Sequence, residues 1–357
     1  MKKYILLFIL SALLWACNKP KNEDSKLLSN TVLEPAAITD TVPKDSDDPA
    51  IWVHPTDPSK SLILGVDKSE DGGLYVFDLN GKMDTSKTFE GLNRPNNVDL
   101  TYGFVLNNDT LDIAALTERK AGKMRIFSVP DIRPIDGGGI PIFEGEAQNE
   151  GMGIAFYKAK ETNKIYVIVG RKEGPSESYL WQYELYADSN KIAAKVVRKF
   201  GKYSGTKEIE AIVVDNENGY VYYSDEGVGV RKYYADPEKG NEQLAFFATK
   251  GFTEDHEGIS IYKTSATEGY ILVSDQEVNR FHVFPRQGTD KSPHDHPLLK
   301  IIQVKATHSD GSESCHVAFN EKYPKGIFVA MSDDKTYHIY SWADIEKEIR
   351  SEVLSSR

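Results

Sequence analysis

Six times along this chain, acidic or amide side chains stand directly before a short apolar, β-prone run. The fullest copy is Asp47-Asp48-Pro49-Ala50-Ile51-Trp52-Val53. Glu150-Gly151-Met152-Gly153-Ile154-Ala155-Phe156, Glu208-Ile209-Glu210-Ala211-Ile212-Val213-Val214 and Asp255-His256-Glu257-Gly258-Ile259-Ser260-Ile261 repeat it. Asn96-Asn97-Val98-Asp99-Leu100 and Glu313-Ser314-Cys315-His316-Val317-Ala318-Phe319 are looser copies. The openings fall near positions 48, 97, 150, 210, 257 and 313. They lie roughly 50 to 60 residues apart, a period at which self-similarity signals propellers or solenoids.

Each unit continues in the same order. A Gly/Asp/Lys turn leads to a second strand, and an aromatic-rich third strand follows, as in Leu74-Tyr75-Val76-Phe77, Leu180-Trp181-Gln182-Tyr183 and Phe281-His282-Val283-Phe284. The pattern predicts an all-β, six-bladed β-propeller over residues 40–357. The first strand of each blade lines a central channel, and the acidic openings converge at one mouth of it. A pair of β-sandwiches is the alternative, but it leaves the recurrence unexplained. Apolar positions three or four apart from Trp342 through Ile345, Ile349 and Val353 predict one short C-terminal helix.

The N-terminus carries its own signal. Met1-Lys2-Lys3 precedes an apolar run, Tyr4 to Trp15, too short to span a membrane. Leu14-Trp15-Ala16-Cys17 resembles a bacterial lipobox. Residues 1–16 are therefore expected to be a lipoprotein signal peptide, with Cys17 lipidated and residues 17–39 a flexible polar tether. The expected location is the cell envelope, held to a membrane through the N-terminal lipid only; plain secretion is the alternative. With Cys17 lipidated, Cys315 has no cysteine partner.

Composition narrows the ligand. The formal charge is −11, with Asp+Glu 54 against Lys+Arg 43, which argues against nucleic acid. It argues equally against a bare polyanion unless cations intervene. No feature points to a protein partner. The recurring carboxylates Asp47, Asp48, Asp99, Glu150, Glu208, Glu210, Asp225, Glu226, Asp255, Glu257 and Glu313 would repel one another if gathered without a cation. An oxygen-only set suits Ca²⁺ rather than zinc. A basic set follows the second strands: Lys68, Arg119, Arg171 and Lys172. In register, these cations share the mouth with the carboxylates, and Ca²⁺ with Lys/Arg is what a multiply charged phosphate ester requires. No Gly-x-Ser-x-Gly elbow, phosphate loop or helical His-x-x-x-His pair occurs.

At these residues the chain resembles the β-propeller phytases, calcium-dependent enzymes that hydrolyse myo-inositol hexakisphosphate. The matching segments include Asp47-Asp48-Pro49-Ala50-Ile51-Trp52, Gly73-Leu74-Tyr75-Val76-Phe77-Asp78-Leu79, Asn96-Asn97-Val98-Asp99 and Asp112-Ile113-Ala114-Ala115. Lys172-Glu173-Gly174, Gln182-Tyr183-Glu184-Leu185, Asp255-His256-Glu257-Gly258 and Tyr323-Pro324-Lys325-Gly326 continue the series. The resemblance implies several Ca²⁺ ions held by Asp48, Glu210, Glu226, Asp255 and Glu257, to which the acidic pattern adds Asp47 and Asp99. It implies that Glu210 orients a calcium-bound water for direct attack, and that Lys68, Arg119 and Lys172 bind the phosphate and stabilise its charge. Arg171 is a further candidate phosphate contact. The chain departs from the family at Met152, where a tyrosine is usual, at Asp310–His316 in the last inner strand, and at Met331-Ser332-Asp333-Asp334. A calcium-dependent propeller lactonase and a non-catalytic ligand-binding surface propeller are the competing readings.

Overall fold

Runs such as Leu62-Ile63-Leu64-Gly65-Val66 are apolar at consecutive positions because both faces of the strand are covered. Leu62, Leu64 and Val66 pack into one hydrophobic cluster and Ile63 into another. Alternate side chains of a strand point to opposite faces, so each strand serves two interfaces. In the computed structural model, which describes residues 26–351, these strands form six separate sheets. The expected signal peptide 1–16, the lipidation site Cys17, and residues 17–25 of the expected tether lie outside the described residues.

Blade 1 runs Ser46–Trp52, Leu62–Asp67, Gly72–Phe77 and Phe89–Leu92. Blade 2 runs Pro95–Leu106, Asp109–Glu118 and Lys123–Val129, with Arg133–Pro134 and Ile140–Pro141 on its outer edge. Blade 3 comprises Gly151–Lys158, Ile165–Arg171, Glu177–Asp188 and Lys191–Lys202. Blade 4 comprises Ile212–Asp215, Tyr220–Asp225, Gly229–Tyr234 and Ala245–Phe247. Blade 5 has His256–Lys263, Gly269–Asp275, Arg280–Pro285 and Lys300–Val304, and blade 6 has Ser312–Cys315, Ile327–Ser332 and Thr336–Ser341. Successive strands within a blade pair antiparallel.

The core is divided accordingly. Six hydrophobic clusters each sit between two neighbouring blades; Ile113, Ile126, Val167 and Trp181 bridge blades 2 and 3, for example. Packing is close at Gly65, where an added Cβ would lie 2.3 Å from the Tyr337 ring of blade 6. The single α-helix among the described residues, Trp342–Arg350, closes blade 6. Its Trp342 stacks on Tyr262 with ring centroids 3.4 Å apart, and Ile345 is buried beside it.

The expectation of a flexible tether over 17–39 is corrected for residues 28–38. Leu28–Leu33 lies parallel to Lys300–Val304 as a fifth strand of blade 5. Ala37–Ile38 pairs with Thr336–Ser341 and supplies the outermost strand of blade 6. The segment attaches chiefly through backbone groups, as where Lys305 N–H donates to Leu33 O (3.1 Å) and Ala36 N–H to Ile339 O (2.8 Å). Blade 6 is thus completed from the N-terminal side of blade 1, which joins the two ends of the ring.

Candidate active site at the channel mouth

The six inner strands all begin at one end of the channel, and five of them open on the same irregularity. Ser46 opposes Asp67 and Pro49 opposes Gly65, so Asp47 and Asp48 together face the single residue Val66. In the same way Asn96-Asn97 face Thr117, Met152-Gly153 face Gly170 and Glu257-Gly258 face Ser274. In blade 4 the bonds Glu226 N–H to Glu208 O (3.2 Å) and Ser224 N–H to Ala211 O (3.0 Å) bracket Ile209-Glu210 alike. A β-bulge re-aims the side chains that it carries. Here it separates consecutive residues: Asp47 joins the mouth, while Asp48 lines the neck of the channel with Asn97, Asp99, Ser312 and Glu313 around a void of about 20 Å³.

The second strands end at the same level, and their last two side chains divide the work. The final residue fastens the loop that enters the inner strand. Asp67 accepts from Lys44 N–H (2.8 Å), Glu118 from Asn93 N–H (3.0 Å), Asp225 from Ser204 N–H (3.0 Å) and Asp275 from Thr253 N–H (2.9 Å). Ser332 does the same for Thr307 at 3.2 Å. In blade 3 the post is held by Arg171, which donates to Gln148 O (3.4 Å), to Glu146 and to Ser178 O. Its guanidinium lies 4.6 Å from the Phe143 ring centroid and the residue is 1% exposed. Arg171 is therefore not brought to the mouth as a phosphate contact; it takes the loop-fastening place with the sign of its charge inverted. Asp225 is corrected likewise, since its carboxylate is consumed by Ser204 and Arg231.

One residue further on, the side chains turn to the mouth. Blades 1 to 3 present Lys68, Arg119 and Lys172; blades 4 and 5 present Glu226 and Gln276, whereas Asp333 of blade 6 is taken up by Thr307 and His308. The mouth is thus basic on one half and acidic on the other. Each cation of the basic half already meets a carboxylate. Lys68 pairs with Asp47 (3.2 Å) and Asp310, Arg119 with Glu150 (3.1 Å), and Lys172 with Glu208. Lys68 is half-buried, which disfavours its charge, but Asp47, Asp310 and Glu210 outweigh burial and hold its pKa above the ordinary value. Glu150 is held low by Lys120 and Arg119.

On the acidic half, oxygens of Glu208, Glu210 and Glu226 all lie within 4.8 Å of one another. Glu226 Oε1 and Glu257 Oε2 are buried without a hydrogen-bond partner. Burial, then Glu210, Glu208 and Asp255, push the Glu226 carboxyl up to about 10. Burial, then Glu226 and Glu210, hold Glu257 well above the carboxylate range. Asp47 is pushed up to about 8 by burial and by Glu210 and Asp310, against the pull of Lys68. Asp255 pairs with Lys207 and forms a second close group with Glu254 and Glu277. Orphaned carboxylate oxygens in an all-oxygen cluster that is short of positive charge fit a hard divalent cation such as Ca²⁺.

Sequence reasoning gave no role to Asn96, Gln276 or Asp310. Asn96 donates from one amide nitrogen to Asp47 (2.9 Å) and Glu210 (2.5 Å), and Gln276 donates to Asp310. The signal for Asp310 was its place just before the last inner strand, two residues upstream of Ser312. Asp99 and Glu313, expected at the mouth, lie deeper: Asp99 accepts from the N–H groups of Leu100 and Phe156, and Glu313 from Ser314. Met152 is buried and offers the mouth no donor. The far end of the channel widens to a chamber of about 700 Å³. Its cations Lys158, Lys160 and Lys263 are each taken up locally, by Tyr102 O, Glu217 O and Glu217 Oε1.

Comparison with known proteins bears on this arrangement. A family model described as Phytase matches residues 3–349. A 3-phytase of Bacillus subtilis (strain 168) is 31% identical over 344 residues, covering 91% of this chain and 85% of that protein.

Proposed function

The chain belongs to the phytase family of phosphoric monoester hydrolases, and from that premise we propose that it removes phosphate from myo-inositol hexakisphosphate at the channel mouth in a calcium-dependent reaction. One observation carries the proposal. The close carboxylate group Glu208, Glu210 and Glu226 stands beside the phosphate-compatible cations Lys172 and Lys68. Glu208, Glu210, Glu226, Asp255 and Glu257 would hold Ca²⁺, with Asp47 and Asp310 at the border of the basic half. Bound Ca²⁺ supplies Lewis-acid polarisation of the phosphoryl group and lowers the pKa of a coordinated water.

The remaining contributions belong to the chain itself. Lys68, Arg119 and Lys172 meet the equatorial phosphoryl oxygens and stabilise the charge that spreads over them in the transition state. Arg119 supplies a planar fork, the lysines point charges. Glu210 orients the attacking water and receives its proton, so no covalent phospho-enzyme is needed. Asp48, Asp99 and Glu313 lie in the neck, below the reacting phosphate, and take no part in the transfer. The N-terminal Leu14-Trp15-Ala16-Cys17 pattern supports placing the enzyme in the cell envelope through a lipid on Cys17.

The test is phosphate release from phytate by the purified protein, with Glu210→Gln as control. Release that stops on chelation and returns with Ca²⁺ is expected. Full activity without divalent metal refutes the calcium requirement. Phytate binding without release identifies a ligand-binding propeller, and activity that survives loss of Lys68, Arg119 and Lys172 favours a lactonase-type site.

A further inference from the structure

At the bulges of the inner strands the chain places side chains over the channel, and blade 2 differs there from blades 1, 4 and 5. Blade 1 offers Asp47-Asp48, blade 4 Glu210 and blade 5 Glu257, whereas blade 2 offers the amides Asn96-Asn97. Asn96 is 1% exposed. Its Nδ2 reaches Asp47 Oδ2 at 2.9 Å, Glu210 Oε1 at 2.5 Å and Asn97 Oδ1 at 3.1 Å. The three acceptors fix the orientation of the amide, since a flipped ring of contacts would set Oδ1 against two carboxylates. An amide nitrogen carries two hydrogens, and charge-assisted bonds to carboxylates are the stronger ones. Asp47 and Glu210 therefore command both hydrogens, and one neutral group ties blade 1 to blade 4 across the top of the channel.

We propose that Asn96 is a positioning residue of the phosphatase site, holding Glu210 in the orientation from which it directs the attacking water. Glu210 has no other hydrogen-bond donor recorded among the described residues. Its carboxylate is surrounded by acids: Glu208 and Glu226 lie within 4.8 Å, and Asp47 is bound to the same amide. Without the amide it would turn away from Asp47 to relieve the repulsion. The donor does what a lysine could not do at this position, because it separates two carboxylates without adding a charge that would compete with a bound cation. The inference rests on the phytase reading of the same site.

Two variants test it, Asn96→Leu and Asn96→Asp, at about pH 8 and saturating calcium, where the bound cation keeps an introduced carboxylate ionised against the effect of burial. Neither can donate, but the second keeps an oxygen and adds negative charge. Both are expected to lose roughly 10- to 100-fold in kcat, with KM for phytate within about threefold, as outer-shell partners of a site typically do. Calcium affinity of Asn96→Asp, read by calorimetry on the metal-free protein, is expected to match or exceed that of the wild type. Wild-type kcat in Asn96→Asp overturns the inference, because donation would then be dispensable. So does a calorimetric loss of calcium affinity in Asn96→Asp equal to its loss of kcat, which would make Asn96 part of the cation site alone. Absence of phosphate release by the wild-type protein refutes the phytase reading itself, and calcium affinity measured on the same samples keeps the two failures apart.

Discussion

Stripping divalent metal from the protein and raising the pH from about 5 to about 8 should destabilise it, and calcium bound at the mouth should reduce the difference. The cause lies in the neck and mouth, where carboxylates face each other out of water. Burial pushes Asp99 from 3.8 up to about 6; burial and then Asp99 push Glu313 from 4.5 up to about 8. Burial, then Asp47 and Glu313, hold Asp48 well above its ordinary value. A carboxyl whose pKa is raised by folding favours the protonated folded state. Its contribution is complete below the unfolded value near 4 and is lost as the pH climbs through the folded one. One unit corresponds to about 1.4 kcal/mol. Asp99 and Glu313 keep partial contact with water, so the full displacement overstates the loss, and ~3 kcal/mol for the neck is the working figure. For a domain of this size that is on the order of 5–10 °C in Tm. At the acid end the opposite holds. Against its burial, Asp275 is kept low by His282, Thr253 N–H and Arg280, so its contribution is lost as the pH falls. Thermal melts in chelator should therefore peak near pH 5 and decline toward pH 8. Excess calcium should raise Tm more at the higher pH, where its ligands are free of protons. A metal-free Tm that stays flat or rises over this interval refutes the reasoning.

Lys68→Met removes a proposed phosphate contact and also the counter-charge of Asp47 and Asp310; a loss of kcat/KM of at least about 100-fold and of ~3 kcal/mol in metal-free stability is expected, measured by phosphate release and urea unfolding. Arg171→Met should lower Tm, through loss of its bonds to Gln148 O and Ser178 O, yet leave KM for phytate within about threefold. Lys172→Ala in parallel should raise KM by roughly tenfold or more at little cost in Tm. Deleting residues 1–25 should leave the melting temperature of the metal-loaded protein unchanged, whereas deleting 1–39 removes two strands and should lower it by on the order of 10 °C or leave the protein insoluble.

The architecture was legible because it is written in a period. Acidic openings recurring at blade spacing, and strands apolar on both faces, specify a ring of sheets packed face to face. The partition between adjacent residues was not. In Arg171-Lys172 both side chains are cations, and only strand alternation at the end of Ile165–Arg171 decides that the first fastens a loop and the second faces the mouth. Asp47-Asp48 posed the same problem, and the bulge settles it by sending one carboxylate to the mouth and the other to the neck. The strands of residues 28–38 were hidden for another reason. They attach by backbone hydrogen bonds to edges supplied by blades 5 and 6, and no side-chain pattern records that.

The arrangement of charge would also couple the two ligands proposed for the site. Every cation on the basic half is engaged by a carboxylate: Lys68 by Asp47 and Asp310, Arg119 by Glu150, Lys172 by Glu208. A phosphate group must therefore displace a carboxylate from each cation it uses. The displaced carboxylate is left buried and unpaired unless another positive charge receives it, which is costly in a low-dielectric setting. Asp47 and Asp310 border the acidic half and Glu208 belongs to it, and a divalent cation there would be that receiver. Metal and phosphate would then favour each other, and by linkage each would raise the affinity of the other by the same factor. Arg119 stands outside this exchange, because Glu150 is half exposed and held also by Lys120 (2.7 Å). It can release Glu150 to water, so under the proposed function Arg119 would be the cation that a phosphate reaches first, and Lys68 and Lys172 would become available as the acidic half is neutralised.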